Sequence, residues 1–215
     1  MDDMHGVSAC EICYEMYYIK EDQLKLLLKG LGQDMWYGLF SKAAQSSRSV
    51  QERNSAVNGM LADMYQNSVI DWEGAGIAVC QHYAAMLAAM LERKICVTIH
   101  MTGDESHVRC CYLSKEFVVL TRKSQREADT IGIAKISMPY WIRMLQEECH
   151  RLEDGESCSL IWRSSRDGQI HHSVHIQRDG IRTMKIEGNY GEDGCLYCAK
   201  EKLGEKLREL FYTEF

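Results

Sequence analysis

Two Asp-Gly steps constrain this chain more than any other feature. Asp167-Gly168 and Asp179-Gly180 each lie between runs of alternating apolar and polar residues. Asp-Gly supplies the positive φ that a tight hairpin turn demands, and a period of two is the signature of a half-buried strand. The pattern predicts antiparallel strands over 158–164, 170–177 and 181–187, with turns at Arg166-Asp167-Gly168 and Arg178-Asp179-Gly180. A second set of strand-like runs covers 95–101, 108–113 and 117–121, joined by connections of hairpin length.

Helical patterns fill much of the rest. Lys20-Glu21-Asp22 opens a helix carrying Leu24, Leu27, Leu28 and Leu31, with its acids in the first turn, where the dipole favours them. Further helices are expected over 50–65, from Ala75 to about Arg93, from Ser137-Met138-Pro139 to about Leu152, and over 198–211. Residues 10–19 read as a first strand, Asn67 as a left-handed turn position, and residues 122–136 carry no assignable pattern. A helix followed by three antiparallel strands occurs near 75–121 and again near 138–187. The expected fold is therefore α+β: one domain over 1–215, with structural halves 1–121 and 122–215. Their strands form one central, twisted antiparallel sheet with pseudo-twofold symmetry, flanked by helical bundles.

Composition excludes several classes. The net charge is −6, which argues against a nucleic-acid partner. No run of eighteen apolar residues occurs, so no membrane insertion is expected. The opening Met1-Asp2-Asp3-Met4-His5 lacks the basic and apolar regions of a signal peptide, which places the chain in the cytoplasm. There its ten cysteines are expected to stay thiols, mostly as small buried hydrophobes. A single proline, Pro139, argues against a flexible two-domain layout.

Motifs that could carry chemistry are few. Cys10-x-x-Cys13 and Cys195-x-x-Cys198 together offer four thiolates for a tetrahedral zinc, although nearly the whole chain separates them; buried thiols are the default reading. His171-His172-x-x-His175 resembles a metal run, but on a strand His171 and His175 lie roughly 13 Å apart and His172 points to the other face. Cys149 and His150 are neighbours on a helix, about 100° apart, and cannot act as a nucleophile–base pair. Gly74-Ala75-Gly76 before a helix could cradle an anion, with close packing as the bland alternative. Arg122-Lys123-Ser124-Gln125-Arg126 reads as a solvated loop or a dock for an acidic partner. Met60, Met64, Met86, Met90, Met138 and Met144 fall on or beside helices, where methionine fills cores or serves adaptable binding surfaces. No catalytic motif and no cofactor site emerges.

The order of elements resembles the EspG-like cytosolic chaperones of type VII (ESX) secretion systems. The residues that carry the likeness are 53–72, with Leu61 as the helix leucine and Asn67 in the glycine turn, and 161–187 with its Arg-Asp-Gly hairpins before a terminal amphipathic helix. The resemblance implies a central antiparallel sheet with quasi-twofold symmetry and flanking helices. It also implies a non-enzymatic chaperone or adaptor that holds a helical client protein, with a homodimer admitted. The alternatives are a winged-helix-like regulatory or ligand-sensing protein, and a zinc or redox protein using the CxxC pairs.

Overall fold

A computed structural model describes residues 14–32, 49–93, 95–102, 108–124, 126–127, 129–165, 167–188 and 194–212. Their elements run β1 (Tyr17–Lys20), α1 (Glu21–Gly30), α2 (Val50–Gln66), β2 (Ile70–Glu73), β3 (Gly76–Val79), α3 (Gln81–Glu92), β4 (Ile95–Met101), β5 (Arg109–Leu113), β6 (Phe117–Lys123) and β7 (Thr130–Ser137). They continue with α4 (Met138–His150), β8 (Ser157–Ser164), β9 (Ile170–Asp179), β10 (Thr183–Glu187), β11 (Cys195–Ala199), a short 3-10 turn and α5 (Leu203–Tyr212). The class is α+β, as the sequence implies. None of these helices is long and apolar enough to cross a membrane.

Nine strands form one antiparallel sheet in the order β1-β7-β6-β5-β4-β8-β9-β10-β11. Eight of the strands make two four-stranded meanders, β4–β7 and β8–β11, joined by their first strands, and β1 adds to the outer edge of β7. That junction pairs Ile95 with Ser164 through to Met101 with Cys158. Each repeating unit is thus a helix and four strands, not three, and the units divide between β7 and α4 rather than at residue 121.

Period-two alternation sends each strand's residues to two different layers. On one face, Val97, Leu120, Leu160, Trp162 and Ile176 pack under α4 and α5. Trp141 meets Phe211 edge-on at 4.5 Å, and Trp162 stacks on Phe211 at 5.6 Å. This layer covers both meanders. On the other face, Cys96, Tyr112, Val119, Ile131 and Ile133 pack under α1 and α3 through Leu24, Leu28, Met86 and Met90. Each such fully buried side chain contributes roughly 1.5–3 kcal/mol. This second layer covers only the β1-β7-β6-β5-β4 half. Over β8–β11 the corresponding residues are half-buried or exposed.

The strands obey a local twofold normal to the sheet between β4 and β8, but the helices do not. Such an axis preserves faces, so it would place α3 and α4 on the same side; they lie on opposite sides. The expected pseudo-twofold therefore holds for the strand order and fails for the helical layers.

Four local expectations need correction. Residues 70–79 form a hairpin, with Trp72 opposite Ile77, and the helix expected from Ala75 starts at Gln81. Its turn uses Gly74 at φ +59, a value glycine adopts without strain. Residues 130–137 form β7, whose side chains are mostly buried on both faces, so no alternation marks it. Residues 195–199 are an edge strand, and the last helix begins only at Leu203. In the turn after α2 the positive φ belongs to Ser68, while Asn67 sits at φ −93 and its side-chain amide donates to the Asp63 carbonyl.

α2 is the most lightly held helix. Met64 is its one buried residue, and Asp63 anchors it by accepting from Lys20 Nζ at 2.6 Å and Gln23 Nε2 at 2.8 Å. The Lys20 ammonium, first among the causes, holds the Asp63 carboxyl below its usual value.

Gly188 closes β10 against β9. A Cβ there would lie 2.9 Å from the Ser173 carbonyl and 3.1 Å from Val174, with backbone among the obstacles. Gly188→Ala is expected to destabilise the fold by about 1–3 kcal/mol in chemical denaturation, by forcing the two strands apart.

Candidate functional site

The cysteine, histidine and glycine motifs dissolve into structural roles. Cys10 and Cys13 lie outside the described residues. Cys195 and Cys198 stand three apart on β11 and therefore face opposite sides of the sheet. Cys198 points to the core, where burial pushes its thiol up, while Cys195 lies on the uncovered side. A zinc knuckle needs both sulfurs on one ion, and this strand does not provide that. Among the described residues, no group of three His, Cys, Asp or Glu side chains is arranged to hold a metal. Cys96 and Cys111 are buried thiols pushed up to about 11 and about 12, chiefly by desolvation. Cys149 shares a hydrogen bond with Cys158, and this bond, followed by burial, raises its thiol further. His150 turns away and donates Nε2–H to the Lys200 carbonyl at 2.8 Å.

The histidine run is split by a bulge. His172 pairs with Trp162 and stacks on its ring at 4.3 Å, inside the core face. The register then shifts, so that Ile170 sits opposite Arg163 and is 53% exposed instead of facing the core. Gly74-Ala75-Gly76 is the β2–β3 turn, neither an anion cradle nor a packing site; a Cβ at Gly74 would meet nothing. Met64, Met86, Met90 and Met138 are core residues, and Met60 and Met144 are partly buried.

Two surfaces remain. The first is the uncovered half-face of the sheet. Register places His100, Ser159, His175, Glu187 and Cys195 in one row across β4, β8, β9, β10 and β11. Ser159 Oγ lies 2.8 Å from His175 Nδ1, and Glu187 is ion-paired with Lys185 at 2.5 Å. The residue types are those of a hydrolytic triad, yet the geometry does not suit one. Each of these residues lies within a ladder whose amide groups pair strand to strand, so no pair of N–H donors converges beside Ser159 to hold an oxyanion. His175 also stands in open solvent. What the row offers is a flat array of polar side chains. At its inner end, Arg163 donates Nε–H to Thr98 Oγ1 at 3.2 Å, beside His100.

The second surface is the β2–β3 hairpin, which sequence reasoning missed. Its base is fixed by Val69 and Ile70, both 1% exposed. Two residues nearer the tip, the cross-strand pair Trp72 and Ile77 is 53% and 44% exposed. Single exposed apolar residues are ordinary, but a Trp–Ile pair directly opposed on a protruding ribbon is not what a solvated turn requires. The signal lay in Val69-Ile70-Asp71-Trp72 followed by Gly-Ala-Gly and Ile77-Ala78-Val79: two short β-prone runs around a glycine turn.

Compared with known proteins, the chain matches no family model and no curated sequence.

His100 gives the uncovered side a pH signature. Burial first, then the Arg163 charge, lowers its pKa below 6.5. The unfolded chain then binds more protons than the folded one between the depressed value and 6.5. The stability His100 confers is full above pH 6.5 and is lost as pH falls through the depressed value. Denaturation midpoints should therefore decline on acidification through this window, and His100→Gln should flatten that part of the profile.

Proposed function

We propose that this chain is a non-catalytic binding protein that holds a helical client protein in the cytoplasm, with Trp72 and Ile77 as its anchors. The carrying observation is the exposed Trp72–Ile77 pair on a hairpin whose base is locked into the core. Tryptophan dominates protein interfaces because one rigid ring buries a large area at little entropic loss, and truncating such an anchor typically costs 2 kcal/mol or more. The neighbouring α2 presents a long exposed flank beside the hairpin, Tyr65 included, which suits a helix laid alongside.

A type VII secretion chaperone of the EspG-like kind is the particular reading we favour. Its support is the central antiparallel sheet, the quasi-twofold strand order and the helices on both flanks. The winged-helix alternative calls for a basic helix face; α2 and α3 together carry Arg53 against Glu52, Asp63 and Glu92. The zinc alternative loses its second knuckle to the geometry of β11.

The test is capture of partners from native cytosol in reducing buffer, with wild-type chain and Trp72→Ala in parallel. One client recovered near one-to-one with the wild type, and bound about 30-fold more weakly by the variant at unchanged thermal stability, is the expected result. Equal binding by both chains would remove the hairpin from the interface.

A further inference from the structure

The nine-stranded sheet ends in two edge strands, β1 and β11, whose outward backbone groups meet different fates. At β1, Glu21 N–H donates to the Asp129 carbonyl, directly opposite it in register. That bond fixes the phase: Tyr17 and Ile19 bond towards β7, and Tyr18 and Lys20 point outwards. Side chains occupy this edge. The Tyr18 carbonyl accepts from the Tyr83 hydroxyl at 3.0 Å, and Lys20 N–H donates to Gln23 Oε1 at 3.2 Å. The chain then turns directly into α1.

At β11, Lys200 N–H donates to the Arg182 carbonyl, and Gly188 N–H donates to the Gly194 carbonyl. These bonds bracket the strand and fix its phase. Leu196 and Cys198 bond towards β10, while the N–H and C=O groups of Cys195, Tyr197 and Ala199 point away from the sheet. Among the described residues, no hydrogen bond is made to those outward groups. Sheet edges are ordinarily guarded by lysine, proline or a bulge. Cys-Leu-Tyr-Cys-Ala has no charge and no proline, and its register with β10 runs unbroken.

We infer that β11 pairs antiparallel with β11 of a second copy of this chain, so that one sheet continues across a twofold axis at Tyr197. The outward residues are spaced evenly about Tyr197. Cys195 therefore meets Ala199 of the second copy, Tyr197 meets its own counterpart, and every outward donor and acceptor is matched. No like charges oppose one another along this strip, which matters in a chain of net charge −6 whose copies repel overall. The side chains fit the same pairing. Leu196, half-buried against the core, comes opposite Cys198 of the second copy and extends the apolar layer. Tyr197, 57% exposed, forms an aromatic cross-strand pair on the other face. A strand of another protein could use the backbone groups, but the symmetric spacing selects a second copy. This interface does not involve the Trp72–Ile77 hairpin and does not depend on its role.

Sedimentation equilibrium of the purified full chain, from about 1 to about 200 µM, is the test. A reversible monomer–dimer equilibrium is expected. Tyr197→Glu should weaken it roughly tenfold or more at unchanged thermal stability. The new carboxylate faces Lys185 within its own chain but faces its own copy across the axis. Tyr197→Pro should act alike, because the N–H it removes points outwards. Amide exchange at Cys195, Tyr197 and Ala199 should slow as concentration rises through the transition, with Leu196 and Cys198 protected throughout. A chain that stays monomeric at every concentration, a dimer untouched by both substitutions, or a dimer with unchanged exchange at those three amides would overturn the assignment.

Discussion

The pairing of β4 with β8 is the interaction on which the rest of this structure depends. Each meander alone is a four-stranded sheet with its inner edge open. Joined along Ile95–Met101 and Ser157–Ser164, they become one sheet wide enough for a continuous helical layer. α4 and α5 lie across that junction, with Val97 and Ile99 from β4 and Leu160 and Trp162 from β8 in the same core. Neither meander could bury this face by itself, because α4 draws apolar neighbours from both.

The asymmetry of the opposite face follows from where the helices are spent. α1 and α3 cover the first meander, and its β7 accordingly reads as an uninterrupted buried run, Thr130 to Ala134. No described element covers the second meander on that side, and its residues there are mostly polar, Ser159, Arg163, His175, Lys185 and Glu187, with half-buried Ile161 and exposed Tyr197 as apolar exceptions. Chain chemistry and coverage agree for most of these positions. The polar row is therefore a solvated sheet face in its own right, and the informative surface is the hairpin, where apolar residues stand in water without a packing reason.

Legibility followed the same division. Strands with one solvated face, β8 to β10, were readable because alternation and Asp-Gly turns marked them. Strand β7 was not, since burial on both faces erases the period of two. The β2–β3 hairpin was hidden because Ala75-Gly76-Ile77-Ala78 is as compatible with a helix start as with a turn and strand; tertiary anchoring of Val69 and Ile70 decides it. The bulge at His171 could not be read at all, because one extra residue leaves the composition of the strand unchanged. Of the candidate site residues, the sequence pointed to cysteines and histidines with suggestive spacing, and a strand's alternation separates Cys195 from Cys198. Trp72 lies in the misassigned hairpin, so no local pattern announced it.

Native-state hydrogen exchange tests the central claim, that the junction makes the two meanders one cooperative unit. Amides of β4, β8 and the β5 and β9 strands beside them should exchange only through global unfolding, with the same free energy in both meanders, while α2 opens at far lower energy. A second meander that exchanges as a separate unit, well below the first, would contradict the account.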